Sequence, residues 1–272
     1  MSISYIFIFI FGLCVGSFLN VLIDRLPKGE SIFGRSYCNH CHKTLEWYEL
    51  VPVLSFIVLR GKCSKCKKPI PLQYPLVELA TGGLFLLIFI FFTPFDINLS
   101  NETIFSTFNF QNLLLLFCQL FIASCLIVIF MSDLKYMIVP DEIVYSGMVI
   151  ALIYQFSNWK MGQLPEWHYP LLAGIGPALF FLFLILITKG KGMGFGDVKI
   201  AAFMGFFLSW PNILIALLLA FFSGALVGLI LIATKKKGMK SEIPFGCFLA
   251  PATLIALFWG EELISWYIGM LH

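Results

Sequence analysis

An all-α, polytopic integral membrane protein of about eight transmembrane helices, with one large polar loop after the first of them, is the fold this sequence predicts. Three observations lead there. Apolar residues make up 60% of the 272-residue chain and charged residues only 12%, against about 25% charged in soluble domains. Long apolar runs recur, giving a mean hydropathy of +0.92. Nearly all basic residues fall in alternate loops between those runs. The same composition excludes a water-soluble fold. With 30 Phe and 17% aromatics the chain is too apolar for a solvated coil, and the strand alternation of an outer-membrane barrel is absent. Helices remain, each satisfying its own backbone hydrogen bonds within lipid.

A bilayer core about 30 Å thick takes about 20 apolar residues per helix. Runs at 3–23, 76–92, 113–132, 170–188 and 213–234 meet or approach that length. Shorter runs at 143–156, 198–210 and 245–259 suit a re-entrant or buried segment as well as a span. The first run has no small-residue cleavage site followed by a soluble domain, which predicts a retained helix rather than a removed signal. Charge then decides the count. With eight spans and an external N-terminus, Arg25, Lys28, Arg35, Lys43, Arg60, Lys62, Lys65, Lys67 and Lys68 share one cytoplasmic loop. Lys135, Lys189, Lys191, Lys199, Lys235, Lys236, Lys237 and Lys240 fall on the same side, leaving Lys160 alone of the 18 Lys and Arg outside. That is the positive-inside bias. The expected organisation is a first transmembrane helix at 1–23, a polar cytoplasmic insertion at 24–75 and a membrane-embedded body at 76–272. A polar external loop at 93–111 carries Asp96 and Glu102 and no base.

Within the insertion, Cys38, Cys41, Cys63 and Cys66 stand as Cys-Asn-His-Cys and Cys-Ser-Lys-Cys. Each pair forms a tight turn that presents two thiolates to one ion, and two such turns complete a tetrahedral shell. Soft sulfur ligands favour zinc over calcium or magnesium, and the neighbouring bases help to keep the thiols ionised. Two disulfides are the alternative, disfavoured in a reducing cytoplasmic loop. Four free thiols placed by accident are disfavoured by the paired spacing. Four sulfurs leave no open coordination position, so the expected role is structural. His40 and His42 are expected to be surface residues. Cys14, Cys118, Cys125 and Cys247 lie in apolar runs and are expected to be small buried side chains without chemistry.

Ionisable groups in or at the edge of a span are candidates for function. Asp133 ends the third run, and Asp197 begins the sixth in Gly192-Met193-Gly194-Phe195-Gly196-Asp197. Both fall at the cytoplasmic boundary. Taken alone, each reads equally well as a helix cap or a surface charge, and Asp141 after Pro140 looks like a cap. Gly194 and Gly196 shift the balance for Asp197, because glycine allows backbone shapes and close approaches that other residues forbid. A loop of this kind can lie against an extended peptide. A phosphate loop is disfavoured, since neither the preceding strand nor the Lys-Ser/Thr ending is present. If Asp133 and Asp197 share a site, two close carboxylates resist double ionisation and divide one proton. The ionised member takes a proton from water, which attacks a peptide carbonyl. The protonated member donates to the carbonyl oxygen and later to the leaving amine, with no covalent enzyme intermediate. The chain has only four His, and none forms a convincing pair with Ser or Cys.

Several blocks now stand together: Gly16-Ser17-Phe18-Leu19-Asn20-Val21 running to Arg25-Leu26-Pro27, the cysteine region at 35–66, Tyr74-Pro75-Leu76-Val77-Glu78, Asp133 through Pro140-Asp141, Gly194-Phe195-Gly196-Asp197-Val198-Lys199, and Ile243-Pro244-Phe245-Gly246. In kind and order they resemble the prepilin peptidase (type IV leader peptidase) family, GxGD-type membrane aspartyl proteases. The resemblance covers nearly the whole chain. It implies eight membrane helices in a bacterial inner membrane, an active site facing the cytoplasm, and prepilins or pseudopilins as substrates. The basic leader would be cut after a glycine, on the cytoplasmic side of the substrate's hydrophobic segment. Carried over residue by residue, it implies Asp133 and Asp197 as the catalytic pair and Gly194 and Gly196 as the active-site loop. Asp141 is a weaker candidate, because relatives can carry Asn there. Many relatives with the cysteine-bearing loop also methylate the new N-terminus using S-adenosylmethionine, so that second activity is implied as well. Glu78 is read either as support for the loop or methyl transfer, or as a buried structural acid. One departure is Cys247 after Phe245-Gly246, where Pro is common; it bears on local helix shape.

Two other classes stay open on the sequence. A transporter could use the same aspartates to relay protons or bind cations. That explains acids at span ends but neither the paired cysteines nor the glycine-flanked Asp, and it calls for polar groups near the midplane. A noncatalytic assembly scaffold would use the cysteine loop to hold a cytoplasmic partner. The net charge of +3 gives no ground for expecting nucleic acid.

Overall fold

The computed structural model describes residues 3–92, 110–160, 162, 166, 168–190, 193–234 and 244–271. Most of the loop expected at 93–111, together with Lys191, Gly192, the Lys235 to Lys240 cluster and Ile243, lies outside the described residues. Helices dominate: α1 Ile3–Arg25, α2 Leu54–Val58, α3 Gln73–Phe92, α4 Phe110–Tyr136, α5 Asp141–Lys160, α6 His168–Thr188, α7 Phe195–Leu208, α8 Asn212–Ala233 and α9 Gly246–Leu271. Short 3-10 turns follow α1 and precede α2. Among the described residues there is no β-strand, only the isolated bridges Tyr37–Thr44 and Lys62–Pro69.

All eight apolar runs fold as helices. Six of them, α1, α3, α4, α6, α8 and α9, are long and apolar enough to cross a membrane. The other two differ for separate reasons. Helix α5 reaches 20 residues but carries Asp141, Glu142 and Lys160 at its ends. Helix α7 has only 14 residues, about 21 Å of helix. It is walled in by protein instead, with Ile200, Ala201, Phe203 and Met204 fully buried. Large apolar side chains on the other helices stay exposed, such as Leu218, Phe222 and Leu229 along α8. An exposed apolar face of that extent requires a lipid solvent. The protein is a multi-pass membrane protein.

The chain divides into two compact units, 1–128 and 129–272, with the division inside α4. In the first unit α1 packs along α3. Gly12 and Gly16 make the approach possible, since a Cβ on them would stand 2.7 Å from the Cα of Gly82 and of Glu78 respectively. Small residues four apart are the usual device for close helix contact in lipid, where dispersion replaces the hydrophobic effect. Between these helices the chain makes the polar insertion.

In the second unit α7 is central, packing on α5, α6, α8 and α9. The Gln155 side chain on α5 donates to the Phe207 carbonyl near the end of α7. Gly205 sits against α6 so closely that a Cβ would overlap the Ala173 carbonyl. Gly205→Ala should therefore force the two helices apart and cost about 2–3 kcal/mol or more. Gly176 on α6, with nothing within 4 Å, is the control. A lowered unfolding temperature in detergent for Gly205→Ala, with Gly176→Ala near wild type, is the expected result; equal behaviour of the two would contradict this packing.

Candidate metal centre and candidate active site

The polar insertion is built from two turns of the same design. In the first, Cys38 N–H donates to the Lys43 carbonyl at 2.9 Å and His42 N–H to the Cys38 carbonyl at 2.9 Å. In the second, Cys63 N–H donates to Lys68 at 2.9 Å and Lys67 N–H to Cys63 at 3.0 Å. His42 and Lys67, at matching positions, both take positive φ, 52° and 58°. Each turn aims two sulfurs inward, and all four Sγ atoms of Cys38, Cys41, Cys63 and Cys66 lie within 4.8 Å of one another. Across the turns, Cys38 meets Cys66 at 3.9 Å and Cys41 meets Cys63 at 4.0 Å. A tetrahedral ion with Zn–S bonds of about 2.3 Å needs sulfur separations of about 3.8 Å. The donor set therefore fits a zinc ion in kind, number and spacing. Backbone N–H groups of Cys66 and Lys65 hold the Cys63 thiol down to about 6, which favours the thiolate form that a metal ligand requires. His42 stacks on Tyr37 at 5.5 Å instead of joining the sulfurs.

Three polar anchors fix this insertion to its helices and to itself. The Arg25 guanidinium at the end of α1 donates to the carbonyls of Ser31, Ile32, Phe33 and Arg35. Lys43 Nζ links the turns, reaching Glu49 Oε1 at 3.0 Å and Ser64 Oγ at 2.9 Å. Burial pushes the Glu49 carboxyl up, but the Ser64 hydroxyl, the Glu46 N–H and Lys43 outweigh it and hold it below the usual range. On α3, Glu78 Oε2 accepts from Val53 N–H at 2.7 Å.

The aspartates lie in the second unit. Asp133 is in the last turn of α4 and only 6% exposed. Its Oδ2 accepts from Cys247 N–H at 3.1 Å, in the first turn of α9, where a helix leaves its N–H groups without internal partners. Gly246 leaves room for this carboxylate, because a Cβ would stand 2.7 Å from that same oxygen and push it aside. Phe245 holds the start of α9 in place by packing on Phe221 at 5.2 Å and Phe181 at 6.1 Å.

Asp197 occupies the first turn of α7, and its Oδ2 accepts from Gly194 N–H at 3.2 Å. Each carboxylate thus meets the positive end of a helix. Asp133 is near enough for its charge to bear on Asp197. The glycines contribute differently from one another. Gly194 has ordinary extended backbone, φ −86° and ψ 156°. Gly196 serves a close approach, since a Cβ there would stand 2.9 Å from Val139 Cγ2. Asp141 starts α5 and pairs with Lys199 at 2.7 Å, which ties α5 to α7 just beyond Asp197.

Sequence reasoning missed the Gly246–Cys247 contact with Asp133 and gave Cys247 no part. The signal was the Ile243-Pro244-Phe245-Gly246 block ahead of an apolar run, which marks a helix start with free N–H groups.

With this geometry in place, comparison with known proteins decides the family. The bacterial peptidase A24 N-terminal domain matches residues 10–92, and the type IV leader peptidase family matches residues 120–229. A protein of Bacillus subtilis named prepilin leader peptidase/N-methyltransferase is 32% identical, over 97% of this chain and 97% of its own. The chain belongs to the type IV leader peptidase family. Relatives with the same name in Legionella pneumophila (30% identical, 97% of this chain and 94% of that one) and Aeromonas hydrophila (31%, 96% and 92%) show similar coverage. No solved structure matches this family member. The N-terminal match contains all four clustered cysteines, and the second match contains both Asp133 and Asp197.

Proposed function

We propose that this chain removes the basic leader from type IV prepilins or pseudopilins and then N-methylates the exposed N-terminus, at the cytoplasmic face of the bacterial inner membrane. The observation that carries the reading is the pair Asp133 and Asp197, each accepting from a backbone N–H at the start of a helix and near enough for the charge of Asp133 to bear on Asp197, in a member of this family. Two carboxylates at one site divide a proton. The ionised one takes a proton from water as the water oxygen bonds to the scissile carbonyl carbon. The other gives its proton to the carbonyl oxygen. Collapse of the tetrahedral species breaks the C–N bond, the nitrogen leaves protonated, and the pair returns to its starting state. General acid–base assistance of this kind contributes about 10²- to 10⁴-fold. In this reading Gly194, just ahead of α7, and Gly196, in its first turn, form the active-site segment around Asp197.

Zinc bound by Cys38, Cys41, Cys63 and Cys66 has a structural role, joining the two turns. S-adenosylmethionine, the methyl donor, supplies an electrophilic methyl group on a sulfonium. The deprotonated N-terminal amine would be the nucleophile toward that methyl group, with the thioether as leaving group and one proton released.

Purified protein incubated with a prepilin and S-adenosylmethionine should yield a product lacking the leader and heavier by one methyl group, read by intact mass. An unshortened substrate would overturn the reading. Gly246→Ala gives a sharper check on geometry. Its methyl group must displace the Asp133 carboxylate, so cleavage should fall on the order of 10²-fold while membrane insertion persists. Cleavage within twofold of wild type would show that the contact has no bearing on the chemistry.

A further inference from the structure

The cysteine insertion carries an apolar face that its own fold leaves uncovered. On the short helix α2, Leu54, Ile57 and Val58 stand at i, i+3 and i+4 and so share one side. They are 61%, 63% and 78% exposed. The other side is turned inward: Ser55 and Phe56 are half-buried, and the Phe56 ring lies over Gly61, where a Cβ would stand 3.1 Å from it. Shortly before α2, Trp47 and Tyr48 are exposed too, their rings meeting edge to face at 5.8 Å.

The place of this face in the first unit says what covers it. Val53, the residue before α2, donates its N–H to Glu78 Oε2 at 2.7 Å. Glu78 belongs to α3, whose 20 residues give about 30 Å of helix, the thickness of the apolar core of a bilayer. Such a helix has no turn to spare, so its first turns stand at the membrane boundary. Leu76 and Leu79, flanking Glu78 in sequence, are exposed there as a lipid-facing surface. The bond from Val53 therefore holds the start of α2 at the level where that surface gives way to headgroups.

Charge names the lipid. Arg60, Lys62, Lys65, Lys67 and Lys68 follow α2 directly and are all exposed, and no acid occurs between Glu49 and Glu78. A basic cluster beside a spanning helix draws anionic headgroups, and Trp and Tyr settle at headgroup depth. A second copy of the chain brought face to face would instead set these five bases against five of its own. We infer that Trp47, Tyr48 and the outer side of α2 lie in the headgroup layer of the bilayer that α1 and α3 cross, and that residues 60–68 hold anionic phospholipid there. Docked in this way, the insertion has an attachment to the membrane besides the two helices it joins.

The test uses the full chain in nanodiscs of mixed phosphatidylcholine and phosphatidylglycerol, with p-benzoylphenylalanine in place of Ile57, Trp47 or Phe56. Ultraviolet light should give a product heavier by one phospholipid from positions 57 and 47 and none from the inward position 56. Phosphatidylglycerol should be enriched in the adduct at least about threefold over its share of the nanodisc, and the enrichment should vanish when Lys62→Gln, Lys65→Gln and Lys68→Gln are combined. Zinc content checks that each variant is folded. Without any such label, acyl-brominated phosphatidylglycerol should quench more emission from the wild-type chain than from Trp47→Phe. Absence of a lipid adduct at 57 and 47, a product of twice the chain mass in its place, or equal bromine quenching in wild type and Trp47→Phe would overturn the docking. Lipid adducts without enrichment would overturn the anionic site.

Discussion

Asp133→Asn and Asp197→Asn should each abolish leader removal, with a loss on the order of 10³-fold or more. Asparagine is the informative replacement. Its carbonyl oxygen can still accept from Cys247 N–H at position 133 and from Gly194 N–H at position 197, the bonds the carboxylates make now. The starts of α9 and α7 therefore keep their partners, and the helices keep their places. What disappears is the ability to take up and give back a proton. Single-turnover cleavage of a prepilin by reconstituted variants measures the loss, with membrane insertion and zinc content as checks on folding. Cleavage within 10-fold of wild type in both variants would remove the pair from the mechanism. Alanine is less informative, because it also strips the helix starts of their acceptors.

Cys63→Ser should release the zinc, taking the content from about one ion per chain to nearly none. The same protein should become sensitive to proteolysis between residues 31 and 72. Apart from the polar anchors of Arg25, Lys43 and Glu78, little else holds this segment together. Its regular structure amounts to two isolated bridges, one short 3-10 turn and the five-residue α2. Structural zinc contributes about 10–16 kcal/mol in small zinc modules, far more than the Lys43–Glu49 pair can supply. Cys118→Ser is the control, because Cys118 is 1% exposed within α4 and remote from the cluster in sequence. Unchanged zinc and protease resistance in Cys63→Ser would contradict the tetrathiolate centre. Acid adds a second handle. Glu49 is held below its usual range when folded, so its contribution is present above its unfolded value and lost as pH falls through the folded one. Proteolysis of the segment should accelerate on acidification below about pH 4, and less so in Glu49→Gln.

What the sequence made legible was local. Apolar length is a property of consecutive residues, so every run became a helix, and paired Cys-x-x-Cys turns close over four residues each. Helix ends were read less well, for a related reason. Helix α7 begins at Phe195, ahead of the apolar run, because a cap is set by hydrogen bonding rather than hydropathy. Helix α9 runs on to Leu271, since Glu261 and Glu262 interrupt an apolar stretch without breaking a helix. The contacts that shape the two sites lie far apart in the chain. Cys247 reaches Asp133 across 114 positions, and Asn20 meets Tyr74 across 54. Those depend on which helices pack together, and that is decided by details such as Gly12 and Gly16 on α1, whose meaning shows only when α3 is beside them.

One measurement bears most directly on the two-carboxylate chemistry: cleavage in ¹⁸O-labelled water, acid-quenched during a single turnover, with enzyme and leader both weighed intact. Direct attack by water predicts ¹⁸O in the new carboxylate of the leader and an enzyme of unaltered mass at every time point. An enzyme transiently heavier by the mass of the leader would show a covalent intermediate and contradict the account.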